Sequence, residues 1–373
     1  MIKILYFLNS TVRGGVEEHV LSILEKLDRT RFEPVLVCPQ ALLGLMGEEL
    51  QSFQVRSHAV SIRNWFDFAE IRKFRRILKE ERPRIVHSHL FKAAMFAAPI
   101  AKRAGGIRVV DTAHIREGWR KGIKKAYFID RWIYRHVDEI IAVSHAVKRY
   151  LIEEKKLPPE KITVVHNGVH LEKFRPSSPR QVGAVGATSD QNGRLRFGVI
   201  GRLEPQKGHR YFLEAVRLLE EKGKEADFVI IGEGRLRHEL EEAARHLGVE
   251  QQVRFLGFRK DIVRAFEELD VLVLPSLFEG LPLVALEASA MGKAVIVTDV
   301  DGSPEVVINN ETGIVVPARD SVALKEAMER LLARQDLVAQ FGQKARARVE
   351  KEFDVNKQVR ETEEVYLKCS SLS

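Results

Sequence analysis

Cysteine is nearly absent. Cys38 and Cys369 are the only two in 373 residues, too few for a disulfide framework and the composition of a reducing cytoplasm. Long apolar runs are missing too. No stretch approaches the roughly 20 residues that a membrane-spanning helix needs. The apolar run at 4–8 is too short for a signal-peptide core and ends at Asn9, Ser10 and Thr11, so it reads as a buried strand. No strand candidate is followed by G-x-G-x-x-G; the Gly232-Glu233-Gly234 turn lacks the third glycine, which argues against a dinucleotide-dependent oxidoreductase. Nor is there a G-x-x-x-x-G-K-[ST] phosphate loop, a low-complexity tract, an internal repeat, or a His/Cys/Asp/Glu run with metal-ligand spacing.

What remains is the composition of a globular protein, with 45% hydrophobic and 30% charged residues. Its length suits two domains better than one core. The net charge of +8 is uneven. Residues 1–175 carry 32 Lys+Arg against 20 Asp+Glu, or +12, and the rest carry 28 against 32, or −4. A basic half suits an anionic partner or simply a solvated surface.

Short β-branched runs alternate with amphipathic segments, the pattern of parallel sheets with crossover helices. The strand candidates are 2–8, 32–38, 55–61, 84–88, 107–112, 139–143 and 162–166. A second series comes at 195–200, 227–231, 253–256, 271–274, 294–298 and 313–316. Between the series, 175–194 is rich in Pro, Ser and Gly and poor in large apolar residues, a linker composition. The organisation expected is an N-terminal Rossmann-like domain at 1–174, that linker, a second domain at 195–354, and a terminal helix and tail at 355–373.

Ligands of open parallel sheets bind beyond the carboxyl ends of strands, and two segments there can carry chemistry. Gly201-Arg202-Leu203-Glu204-Pro205-Gln206-Lys207-Gly208 follows a strand and opens a helix. Helix-terminal amides with an Arg and a Lys make a plausible diphosphate cradle. The second segment runs from Ser276 through Glu279, Gly280, Leu281, Pro282, Leu283 and Val284 to Glu287. It puts one carboxylate on a loop and another inside a helix that Pro282 helps to start. Carboxylates suit hydroxylated ligands because they only accept hydrogen bonds.

Glu279-x7-Glu287, with Gly280, Pro282, Ala288, Ala290 and Gly292, resembles the E-x7-E motif of the retaining family-four glycosyltransferases, a branch of the glycosyl transferases group 1. Gly201-Arg202-Leu203 with Lys207-Gly208 is similar to that family's phosphate loop. Gly14-Gly15-Val16-Glu17 resembles its N-terminal glycine loop, and His166-Asn167-Gly168-Val169 its segment before the linker. The resemblance implies a GT-B fold: α/β, two Rossmann-like domains facing across a cleft, with the last helix crossing back to the first. It implies a hexosyltransferase that needs no metal or other cofactor and retains anomeric configuration. Arg202 and Lys207 would hold the diphosphate, Glu279 the sugar and Glu287 the ribose. Backbone groups of Gly280, Leu281, Leu283 and Val284 would help; Gly14 and Gly15 would close over the phosphates, and Gly257-Phe258 would meet the base. His114 would be the active-site histidine, with His87 and His89 nearby.

One departure is Asp301-Gly302-Ser303-Pro304-Glu305, where the family often has a further glycine. It creates Asp299-Val300-Asp301, which imitates a D-x-D metal motif. The expectation is that it binds no metal, because Arg202 and Lys207 already supply counter-charge. On the acceptor side, 116–136 mixes seven Lys/Arg with Trp119, Tyr127, Phe128, Trp132 and Tyr134. That composition suits an anionic membrane surface at the inner face of the cytoplasmic membrane, or aromatics packed on a sheet. No RNA-binding signature accompanies it. The function expected is transfer from a nucleotide-sugar, with UDP as the commonest nucleotide, to a glycolipid, lipopolysaccharide or polysaccharide. The alternative is a nucleotide-sugar epimerase on the same fold.

Overall fold

The computed structural model describes residues 1–62, 67–115, 124–176, 194–220 and 226–371. Most of the expected linker (177–193), and Trp119 and Lys121 of the basic stretch, lie outside them. The chain divides into two compact units, Met1–Asn167 with Val355–Ser373, and Gly168–Asp354.

In the first unit the strands are β1 (Ile2–Leu8), β2 (Phe32–Cys38), β3 (Arg56–Ala59), β4 (Ile85–His89), β5 (Arg108–Ala113), β6 (Glu139–Ala142) and β7 (Ile162–Val164). They form one parallel sheet in the order β3-β2-β1-β4-β5-β6-β7. The helices between them are α1 (Gly15–Lys26), α2 (Gln40–Ser52), α3 (Phe68–Glu81), α4 (Phe91–Ala104), α5 (Lys124–Tyr134) and α6 (His145–Glu153). Right-handed crossovers put helices on both sheet faces, so Ile4 to Leu8 of β1 are wholly buried. That is why the central strands read as continuous apolar runs. Local chemistry sets the ends of α3: the Asp67 carboxylate accepts from Glu70 N–H, and the chain leaves at Arg82 with φ +49°.

The second unit repeats the architecture. Strands β8 (Arg196–Ile200), β9 (Asp227–Ile231), β10 (Val253–Gly257), β11 (Val271–Leu274), β12 (Ala294–Thr298) and β13 (Ile314–Val316) lie in the order β10-β9-β8-β11-β12-β13, all parallel. The helices are α7 (His209–Glu220), α8 (Arg237–Leu247), α9 (Ile262–Glu267), α10 (Leu283–Ala290), α11 (Ser303–Val306), α12 (Ser321–Ala333) and α13 (Gln335–Glu352). Phe197, Phe212, Phe228 and Met328 centre the core.

The last helix, α14 (Val355–Ser371), belongs to the first unit. Val355, Val359, Thr362, Val365, Tyr366 and Cys369 recur at three- and four-residue spacing and are buried, one stripe of an amphipathic helix. Polar pins fix its register: Glu363 Oε1 accepts from Asp28 N–H at 2.8 Å, and Lys368 pairs with Glu139 at 2.7 Å. The first unit ends at Asn167 rather than at residue 174. The reason is that Val169 N–H donates to Phe353 O at 2.8 Å, Arg346 donates to Phe174 O at 2.7 Å, and the Phe174 ring meets Phe266.

Helix α13 meets the turn that follows α10 at a glycine. A Cβ on Gly342 would lie 2.0 Å from Gly292 O. Alanine is better than glycine inside a helix by about 1 kcal/mol, but here the overlap should win. Gly342→Ala is expected to cost about 1–3 kcal/mol net, lowering the melting temperature by roughly 2–4 °C per kcal/mol. Calorimetry showing an unchanged or higher melting temperature would refute the close-packing argument.

Candidate active site

Both sheets reverse strand order at one point, between β1 and β4 and between β8 and β11. Loops leaving the carboxyl ends of those strands diverge and open a crevice. The residues singled out from the sequence cluster at these two places, and each is described within its own unit.

In the second unit, the turn after β8 and the loop after β11 meet through backbone. Gly208 has φ +65°, and a Cβ there would lie 2.0 Å from Pro275 O, so only glycine fits. The approach lets Leu277 N–H donate to Gln206 O at 2.7 Å and Gln206 Nε2 to Phe278 O at 3.0 Å. It also brings Lys207 Nζ to 2.5 Å from Glu279 Oε1, which accepts from Ser276 Oγ at 2.7 Å as well. Glu279 is 5% exposed. Its other oxygen makes no hydrogen bond among the described residues. Arg202 is exposed, and its guanidinium has no partner among them. One cation is therefore held in place and the other is free to meet a ligand.

The loop after β9 closes the other side. Gly201 N–H donates to Ile231 O and Leu203 N–H to Glu233 O, both at 3.0 Å. Side chains at Gly232 or Gly234 would strike the backbone of Gly201 or Leu203, at 1.9 and 2.5 Å. Gly257, at φ +71°, accepts from Gly232 N–H at 2.9 Å, and Phe258 beside it is 74% exposed. Gly280, Leu281 and Pro282 lead into α10, whose first residues are Leu283 and Val284. Those two amides have no carbonyl behind them within the helix. Glu287 lies further along α10, half-buried. Asp301, the end of the D-x-D imitation, accepts from Glu279 N–H at 3.0 Å, whereas Asp299 is exposed.

In the first unit, Gly14 caps α1 and its N–H donates to the buried Glu17 carboxylate at 2.9 Å; Gly15 begins the helix. Behind this loop is a set of histidines. His114, just beyond β5, has Nε2 2.9 Å from Nδ1 of His89 at the end of β4. His87 bonds Tyr366 Oη and Thr112 Oγ1, both at 2.7 Å, and Tyr366 Oη continues to Tyr6 Oη at 3.0 Å. His19 Nδ1 lies 3.0 Å from Asn167 Oδ1. Burial pushes all four histidines down: His19 to about 4, and His87, His89 and His114 well below the ordinary imidazole range, with neighbouring imidazoles adding to the shift in those three. All are neutral at pH 7.

Two family descriptions match, "Glycosyl transferases group 1" over residues 188–348 and "Glycosyltransferase Family 4" over 13–173. The chain belongs to the group 1 glycosyltransferases. It is 29% identical over 376 residues to the UDP-Gal:alpha-D-GlcNAc-diphosphoundecaprenol alpha-1,3-galactosyltransferase of Escherichia coli, covering 98% of this chain and 97% of the relative. It is 26% identical over 322 residues to the capsular polysaccharide biosynthesis glycosyltransferase CapM of Staphylococcus aureus, covering 82% and 84%. Among solved structures, Anabaena Alr3699/HepE in complex with UDP and glucose superposes with a TM-score of 0.86 at 20% identity, covering 99% of this chain and all of that one. The fold is GT-B.

The glycosyltransferase thus gathers Arg202, Lys207, Glu279, Gly280, Leu281, Leu283, Val284, Gly257 and Phe258 around one strand-end region of the second unit, and Gly14, Gly15 and His114 at the corresponding end of the first. Four residues have roles here that the sequence does not show. Glu17 holds the Gly14 loop and Asp301 the Glu279 backbone. His209, next to Gly208, is 2% exposed with neither ring nitrogen hydrogen-bonded among the described residues, and burial pushes it down to about 4. Tyr366 ties α14 to His87; only its helical periodicity was visible. Among the described residues no helix is long and apolar enough to cross a membrane. On α5, Tyr134 is buried against Asp111, whereas Phe128, Ile129 and Trp132 are exposed.

The Tyr366 hydroxyl serves two buried partners and the Tyr6 hydroxyl one. Tyr366→Phe should therefore cost about 1–3 kcal/mol by leaving His87 Nδ1 unsatisfied, and Tyr6→Phe less. Urea titrations in which the two variants lose equal stability would show that the His87 bond contributes nothing.

Proposed function

We propose that this glycosyltransferase moves a hexosyl group from a UDP-sugar to a membrane-linked or polysaccharide acceptor, with retention at the anomeric carbon and without a metal ion. The observation that carries the reading is the joined loop pair in which Lys207 meets Glu279 beside a free Arg202. The relative from Escherichia coli supports the donor and acceptor classes, since its name pairs UDP-Gal with a diphosphoundecaprenol-linked sugar and an α-1,3 product.

In this reading Arg202 contacts the diphosphate through two N–H groups, and Lys207, oriented by Glu279, adds a second cation. The Leu283 and Val284 amides contribute the partial positive charge of the α10 start. Together they stabilise charge on the leaving diphosphate, the part a metal plays in other transferases. Asp301 is occupied with the Glu279 backbone, which supports a structural role for the D-x-D imitation. Glu279 offers its second oxygen to sugar hydroxyls, and Glu287 serves the ribose. Neutral His114 accepts a hydrogen bond from a sugar or acceptor hydroxyl. The exposed Phe128, Ile129 and Trp132 of α5, beside Arg131 and Arg135, suit peripheral contact with an anionic membrane surface.

Arg202→Ala and Lys207→Ala should each weaken UDP binding by about 1.5–3 kcal/mol, the value of a charge-assisted contact. Glu287→Ala should weaken UDP as well, whereas Glu279→Ala should lose turnover with less effect on UDP. Calorimetry finding UDP affinity unchanged in both cation variants would remove the cradle. Equal loss of UDP affinity in both glutamate variants would overturn the division between sugar and ribose.

Transfer should survive exhaustive chelation, and the product anomer read by NMR should match that of the nucleotide-sugar. Activity abolished by chelator and restored by Mg²⁺ or Mn²⁺ would return Asp299 and Asp301 to the site as ligands.

A further inference from the structure

Three histidines of the first unit stand close enough to share an ion. His19 comes from α1, His89 from the end of β4 and His114 from just beyond β5. Each places one ring nitrogen within 4.8 Å of those of the other two. We propose that this triad is a binding site for a divalent transition-metal ion of the zinc class, and that an ion bound there inhibits transfer by occupying His114. The inhibitory half rests on the active-site role proposed above for His114; the binding half does not.

The donor set selects the ligand. Three imidazoles with no carboxylate among them suit Zn²⁺, Cu²⁺, Ni²⁺ or Co²⁺ and are a poor match for Mg²⁺ or Ca²⁺, which take oxygen. Three protein ligands with a fourth position left for solvent is a familiar zinc arrangement.

One further observation bears on the triad. His19 Nδ1 faces Asn167 Oδ1 at 3.0 Å. Gln358 Nε2 lies 3.0 Å from the same nitrogen, so two side-chain amides hold the ring through Nδ1, the outer support that metal-binding histidines usually have.

Binding asks for a small rearrangement. Zinc–nitrogen bonds of about 2.0–2.1 Å require the three nitrogens to draw in from their present spread. His89 and His114 are already 2.9 Å apart through their hydrogen bond, which the ion would replace. His19 and His89 are locked in the interior, at 3% and 0% exposure. His114 is half-buried beyond a strand end and is the member with room to move.

The test reads the ion directly. The purified full chain, freed of metal, is titrated with Co²⁺ and followed by its visible ligand-field absorption, then back-titrated with Zn²⁺. The expected result is one Co²⁺ per chain with the bands of a low-coordinate ion, displaced by Zn²⁺ and untouched by excess Mg²⁺. His89→Gln and His114→Gln, each verified as folded by a cooperative melt, should weaken Co²⁺ at least tenfold. If His89→Gln does not fold, His114→Gln decides alone. Absence of low-coordinate bands in the wild type, or unchanged affinity in His114→Gln, overturns the site and leaves the transferase reading intact. In the activity assay Zn²⁺ should suppress transfer and chelator should restore it. Stoichiometric binding without suppression would overturn the inhibitory role.

Discussion

A residue with no side chain decides how the second unit assembles its candidate site. The Cβ that Gly208 lacks would lie 2.0 Å from Pro275 O, so the turn after β8 and the loop after β11 can touch only because position 208 is glycine. Gln206 then bonds the opposite loop, and Lys207 arrives at Glu279. The order of cause matters. An ion pair near a surface contributes about 0–1 kcal/mol, and burying one further loses much of its attraction to desolvation. The pair does not draw the loops together; the backbone fit does, and the pair is held at a fixed place as a result. That suits a site in which a cation must stand ready for a phosphate.

The first unit solves a different problem with the opposite chemistry. Its strand-end residues are imidazoles and phenols, neutral because burial outweighs every other influence on them. Neutral groups in a dry interior interact by directional hydrogen bonds, so orientation is transmitted along a chain. Tyr6 and Tyr366 fix His87, and His89 fixes His114. Helix α14 enters that chain through Tyr366, which connects it to β4. At the strand ends, charged side chains meet in the second unit and neutral, directional ones in the first.

Much of this was visible in the residue order. Parallel strands covered on both faces must be apolar throughout, so the strand candidates fall where the sheets have their strands; only the short β3 and β7 differ from them by more than one residue at an end. Glu279 on a loop and Glu287 in a helix follow from Pro282 standing between them. What could not be read is whatever depends on contact between distant segments. Glu17 reads only as the last residue of the Gly14-Gly15-Val16-Glu17 loop, yet it is buried and holds Gly14. The end of the first unit at Asn167 depends on Val169 finding Phe353, a pairing that no composition shift announces. In the residue order, the Gly232 and Gly234 turn reads only as an incomplete nucleotide fingerprint. Its glycines serve the close approach of their own loop to Gly201 and Leu203.

The two metal questions show the same limit from both sides. Asp299-Val300-Asp301 carries the local spacing of a metal motif, but Asp301 turns its carboxylate to the Glu279 backbone and Asp299 lies exposed. His19, His89 and His114 have no recognisable spacing, yet their ring nitrogens converge. Local motifs identify ligands well where a helix or a tight turn presents them, because neighbours in sequence are then neighbours in space. In a doubly wound sheet, adjacent strand ends are separated by a whole crossover helix, so groups that meet there lie tens of residues apart. Sites in such a fold are therefore found by asking which residues leave the end of each strand and which strands lie side by side. His89 and His114 satisfy that test, since β4 and β5 pair directly, and His19 joins them from the helix after β1, the other neighbour of β4.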